Sequence, residues 1–278
     1  MQVPPNHGMV ASSQRAATKV GVDILRAGGN AADTAIAVAA ALAVTEPAST
    51  GIGGDCFALY YDAATREVTA LNGSGRAPAQ LSIDRVRADG LAELPPDHAH
   101  TITVPGACAG WFDLIARHGT LAMPAILAPA IALAEDGFAV GEICAHFWAE
   151  GLASRPGAAN LDELSIGGRA PRAGEVFHNP GLARALRAIA EGGPDAFYRG
   201  AIGDAIVRVI AESGGAMTAA DLGRTPRPGT SRSRPRTAAR GSGSARPTAR
   251  ASPHCSRSTS SRASTSPLRI RWAPTACT

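Results

Sequence analysis

The stretch that decides the fold is Asn30 to Asp62, "NAADTAIAVAAALAVTEPASTGIGGDCFALYYD". It changes character half-way. From Ala31 to Glu46 nearly every residue is Ala, Val, Ile or Leu. That is the composition of a helix buried on most sides, with small side chains letting neighbours approach closely. Asn30 is placed to cap it, and Asp33 at the third position suits the N-terminal dipole. Pro47 ends it. The Gly-rich loop Gly51–Gly54 then leads into an extended run from Cys56 to about Tyr61. "AATR" makes a turn, and "EVTALNG" (Glu67–Gly73) returns as a second strand, which gives a hairpin.

Helical spacing extends outward from this core. Before it, Ala17, Val20, Ile24 and Leu25 recur on one face, and Gly28-Gly29 stop the pattern. After it, "GACAGWFDLIARHG", "MPAILAPAIALAEDG", "NPGLARALRAIAEGG" and "AIGDAIVRVIAESGG" read as helices. The second is expected to break near Pro129, and the third to end at Gly192-Gly193. "HTITVPG" (His100–Gly106) reads as a short strand. Helices with an early hairpin, rather than a repeating strand–helix–strand unit, place the chain in the α+β class.

The net charge of +4 hides two regions. Of the 27 basic residues, 12 are arginines between Arg224 and Thr278, where no Asp or Glu occurs. Residues 1–223 keep 15 basic against all 23 acidic residues, a net charge of −8. Nothing in that acidic body suggests a polyanion partner. No stretch has enough consecutive apolar residues to span a bilayer. The N-terminus "MQVPPNHGMVASSQ" has neither the basic nor the apolar part of a secretory signal, so a cytoplasmic location is expected. The five cysteines and seven histidines show no metal-ligand spacing, so no metal site is expected. Cys56, Cys108 and Cys144, in apolar or small-residue surroundings, read as buried structural thiols.

Two loops look geometrically specified, "GIGGDCF" and "NGSGRAP". The first has neither phosphate-binding glycine pattern and runs into a strand, not a helix. The second carries Arg76. An arginine there is either a solvated surface group or one able to fork onto a carboxylate. No Ser-His-Asp set can be assembled from spacing.

Gly8–Asp62 as a whole resembles the N-terminal region of the gamma-glutamyltransferase (gamma-glutamyltranspeptidase, glutathione hydrolase) family. "TVPGACAGWFDLIARHGTL", "LAPAIALAEDGFAV" and "NPGLARALRAIAEGGPDAFYRG", followed by "GGAMTAADL", continue the match in order to Leu222. The resemblance implies an N-terminal nucleophile hydrolase fold, an αββα sandwich of which this chain holds only the N-terminal part. Residues 1–223 are then the large-subunit region. The family's precursor cuts itself, and the new N-terminal Thr of the small subunit attacks a gamma-glutamyl amide with its own amine as base. No cofactor is implied. The implied partners are a small-molecule gamma-glutamyl substrate and the small subunit. From the large subunit the family takes an Arg that pairs with the substrate α-carboxylate, in a loop here reading "SGRAP". Aligned on Ala77-Pro78, that Arg falls on Ser74, whereas this chain offers Arg76 two positions later. Arg76 is assigned the role, and the shift points to a beta-lactam acylase-like subgroup as an alternative.

The region 224–278 follows none of this. Every residue there except His254, Leu268 and Ile270 has codons with C or G at the second base. Coding DNA rich in G and C at third positions gives that pattern when read one base out of register. Joining each codon's last base to the next codon's first two, with synonymous codons chosen freely, lets Arg246–Pro267 encode "PNGQGIAALLALNILEGFDLA". That resembles the family's "PPNGQG…ALNILEGFDL" segment. Residues 224–278 are therefore expected to be an out-of-frame, disordered tail. The chain as written is then expected to lack the nucleophilic Thr, to be inactive and to leave apolar faces uncovered at Ala31–Val44 and Cys56–Tyr61. The rival is a non-catalytic protein whose Arg/Ser/Pro-rich tail grips nucleic acid; it predicts no displaced motif. Rereading the DNA across codons 222–230 separates the two.

Overall fold

The computed structural model describes residues 8–154, 160–224 and 229–233. Helix α1 (Arg15–Arg26) buries Ala17, Val20 and Ile24 against α2 (Ala31–Thr45). The expected cap is present. The Asn30 side chain accepts from the N–H groups of Ala32 and Asp33, and Asp33 accepts from the Asn30 N–H at 2.8 Å. Asp33 is fully buried and also accepts the Thr120 N–H, the Thr120 hydroxyl and the Leu121 N–H. One carboxylate thus caps a helix and fixes a loop distant in sequence.

Strands β1 (Cys56–Asp62) and β2 (Glu67–Gly73) form the expected antiparallel hairpin, Cys56 opposite Gly73 and Asp62 opposite Glu67. A six-residue helix, α3 (Ile83–Ala88), follows. Helix α4 (Ala107–His118) packs on both strands. Its last residue pins it there. The His118 ring stacks on Tyr60 at 4.1 Å, and its Nε2 lies 2.8 Å from the Thr69 hydroxyl. Helix α5 (Met123–Asp136) is packed between α2 and α7. The short strand β3 (Phe138–Ala139), helix α6 (Glu142–Ala153) and strand β4 (Val176–Phe177) complete a small two-stranded corner. Helices α7 (Pro180–Tyr198), α8 (Ala201–Glu212) and α9 (Ala219–Gly223) follow. Strand β5 (Gly229–Ser233) then pairs antiparallel with β2, so the sheet order is β1-β2-β5.

The helices lie on one side of the hairpin. Cys56, Ala58 and Tyr60 pack against the core, whereas Phe57, Leu59 and Tyr61 are each more than half exposed. The uncovered face expected at β1 is therefore present. The one expected at Ala31–Val44 is not: Ile36, Ala37, Ala40, Ala41 and Val44 are all buried, because α1, α4 and α5 enclose α2.

Two local expectations are corrected, at Pro129 and at His100–Gly106. Helix α5 is not broken at Pro129 but runs through it, since packing on two neighbours outweighs the lost backbone bond. The first helical stretch of α7 ends at Gly192-Gly193 as expected: Gly193, with φ 68° and ψ −164°, leaves the helical region, and a second short stretch runs on to Tyr198. His100–Gly106 is not a strand but a short 3-10 turn (Ala99–Thr101) and an extended loop. Its backbone groups go to other loops, so no ladder forms. Within the region 224–278, Gly229–Ser233 pairs through backbone groups with the open edge of β2. The remaining tail readings, of a displaced frame and of nucleic-acid binding, fall on 234–278, outside the described residues.

Candidate functional site

The two glycine loops singled out in the sequence meet a third, Thr103–Ala107, and the junction is made of backbone. A Cβ on Gly75 would lie 1.7 Å from the Val104 carbonyl oxygen, and one on Gly106 would lie 1.9 Å from that of Gly73. Only glycine allows these approaches. The Gly54 carbonyl accepts the N–H groups of Gly106 and Ala107 at 2.9 and 3.0 Å. Two N–H groups at the entry to α4 are satisfied there. A third, on Ala109, donates to the Tyr198 hydroxyl at 3.1 Å, and that hydroxyl donates to the Pro105 carbonyl at 2.8 Å. The GIGG loop is thus a carbonyl cap for α4.

On this floor sits the segment Asn72–Ala79. The Asn72 side chain accepts the Ser74 N–H at 3.0 Å and turns the chain. The Arg76 carbonyl accepts the Val104 N–H at 2.9 Å. Ser74 and Arg76 both emerge exposed. The Arg76 guanidinium donates through Nη2 to the carbonyl of Arg224, just past α9, and no carboxylate among the described residues pairs with it. The Ala79 N–H donates to Asp221 Oδ1 at 2.9 Å. Asp221, buried on α9, also accepts the Thr218 N–H and hydroxyl through Oδ2, completing a capping box. Burial pushes its carboxyl pKa up, but the bonds from Ala79 and Thr218 outweigh this and hold it below the usual range.

Sequence reasoning placed Arg76 but missed Tyr198 and Asp221. Asp221 had a signal in the Thr-x-x-Asp spacing of "TAAD". Tyr198 had none, because its partners lie some ninety residues away. Beside the junction, sharing Ala109 and Tyr198 with it, is a cleft of about 610 Å³. None of Cys56, Cys108 and Cys144 is set up as a nucleophile. Burial pushes their thiols up to about 11, 12 and 11 respectively, so they are protonated at neutral pH. Cys108 and Cys144 are buried as expected, and Cys56 is half-buried.

This junction lies inside a recognisable family region. The model of the gamma-glutamyltranspeptidase family matches residues 17–225. The chain belongs to the gamma-glutamyltranspeptidase family. It is 32% identical over 219 residues to the glutathione hydrolase proenzyme of Bacillus subtilis (strain 168), covering 77% of this chain and 37% of that relative. Its fold is similar to the crystal structure of cephalosporin acylase from Bacillus halodurans, with a TM-score of 0.75 and 40% identity, over 83% of this chain and 45% of that one. It is also similar to gamma-glutamyltranspeptidase of Helicobacter pylori, with a TM-score of 0.75 and 28% identity, over 84% of this chain and 67% of that one. The chain therefore spans well under half the length of the curated relative. The fold is that of the N-terminal nucleophile hydrolases. The described residues, mixed helix and strand with a three-stranded sheet and a two-stranded pair, make up part of that fold. Among them no helix is long and apolar enough to cross a membrane.

Proposed function

We propose that this chain is the large-subunit part of an enzyme that transfers or hydrolyses gamma-glutamyl groups, and that Arg76 holds the donor's α-carboxylate. The observation carrying this is the backbone-locked junction that presents an exposed guanidinium without a carboxylate partner among the described residues. A planar guanidinium takes a carboxylate through parallel hydrogen bonds, which fixes the orientation of the donor as well as adding binding energy. The reaction itself belongs to the small subunit, whose N-terminal Thr attacks the amide. Its sheet would stack on the bare face formed by Phe57, Leu59 and Tyr61. That the similar glutathione hydrolase of Bacillus subtilis is a proenzyme supports such a two-part origin.

The 278 residues by themselves are then without turnover. A purified sample should release no p-nitroaniline from a gamma-glutamyl anilide above buffer. The chain continued in the displaced frame should release it, and Arg76→Ala should lower its kcat/KM by about a hundredfold, on the order of a charged hydrogen-bonded pair. Equal activity of the Arg76→Ala variant would remove the assignment. A second reading, an acylase acting on a beta-lactam side chain, is favoured by the 40% identity to the cephalosporin acylase and by the displaced arginine. Turnover of an acyl-cephalosporin in preference to the anilide would select it.

A further inference from the structure

Between Ser74 and Gln80 the Arg76 loop buries one side chain of its own, Pro78. Ser74, Arg76, Ala77, Ala79 and Gln80 are all exposed. What fixes the loop beyond the glycine junction comes from α9. That helix is firmly seated: its Leu222 is 1% exposed, and Met217, just before its N-cap, is 2% exposed. From this base it reaches the loop at two points, Ala79 and the Arg76 side chain. Asp221 Oδ1 takes the Ala79 N–H, and the Arg224 carbonyl takes the guanidinium. The Asp221 oxygens are divided: Oδ2 builds the cap of α9 and Oδ1 leaves it for a residue 142 positions away.

We infer that Asp221 is a positioning residue for Arg76, with α9 acting as a clamp that fixes where the guanidinium stands. This rests on the reading of Arg76 as the carboxylate anchor, and it assigns the motif "TAADLGR" a role in the donor site. Cutting the Ala79–Asp221 bond should let the loop swing on the Gly75–Val104 contact and release the guanidinium from the Arg224 carbonyl.

The test is the rate at which phenylglyoxal modifies individual arginines of the 278-residue chain, followed by peptide mass spectrometry, with and without L-glutamate. Arg187, paired with Glu135 far from the loop, is the internal control for folding. In Asp221→Ala the Arg76 rate should rise about five-fold, the equivalent of one net hydrogen bond, while the Arg187 rate holds. Ala79→Pro removes the same bond from the other side and leaves the cap of α9 intact. It should give the same rise, and it decides the question if Asp221→Ala fails to fold. An unchanged Arg76 rate in folded Ala79→Pro overturns the clamp. Protection of Arg76 by L-glutamate in the unmodified sequence, diminished in either variant, supports both readings. A rate rise without any glutamate protection would keep the clamp and sink the carboxylate assignment.

Discussion

Asp33 shows how much one side chain can carry. It sits at no accessible surface, caps α2 and holds Thr120 and Leu121. Burial alone pushes its carboxyl up, but hydrogen bonds from Thr120, Asn30 and Leu121 prevail and hold it below the ordinary range. Asp33→Ala leaves those donors unpaired in the core and should cost about 3 kcal/mol in urea unfolding. The pH dependence has a definite sign. Since the folded carboxyl lies below its unfolded value of about 3.9, its contribution is complete above that pH and is lost as pH falls through the folded value. The melting-temperature gap between the unmodified chain and Asp33→Ala should therefore be constant from neutral pH down to about 5 and close below about 4. Gly75 works by absence. Gly75→Ala puts a methyl group 1.7 Å from a carbonyl oxygen, so the loop must move. A stability loss of about 1–3 kcal/mol, with faster exchange of the Val104 amide, is the expected result.

Among the elements, α4 is capped by other segments rather than by its own sequence. Gly106 offers no side chain, and the Gly54 carbonyl and Tyr198 hydroxyl do the work. Burial pushes the Tyr198 hydroxyl pKa upward, so it stays protonated and can both donate and accept. Tyr198→Phe should cost about 1–2 kcal/mol, read as a lower urea midpoint at unchanged slope. This also explains what the sequence could show. Asn30–Asp33, the apolar run of α2 and the extended run from Cys56 to about Tyr61 are local patterns, and each appears where the sequence placed it. Gly193 breaks its helix where expected, whereas Pro129 misleads because its outcome depends on what packs alongside. At the site, Arg76 was legible through its glycine loop. Its supports were not, because bonds to Val104, Asp221 and Arg224 span from tens to well over a hundred residues and leave no periodicity.

For the molecule as a whole, the decisive feature is asymmetry. One face of the hairpin is packed under helices, while the other shows Phe57, Leu59 and Tyr61 at 52%, 53% and 58% exposure. Contiguous apolar surface of this kind is an association site. The purified chain should bind a hydrophobic dye and sediment as more than a monomer at micromolar concentration. Leu59→Lys with Tyr61→Lys should abolish both and change stability by no more than about 0.5 kcal/mol, as expected for exposed positions. A monomer that ignores the dye would contradict this. The glycine junction behaves differently under change. A packed side chain can drift through neighbours of similar size, but Gly75 and Gly106 have no smaller relative and no tolerated larger one. In a library of random variants these positions should read as all or nothing. Any lineage that keeps this loop must also keep the leading bases of both glycine codons, however freely the arginine beside them wanders.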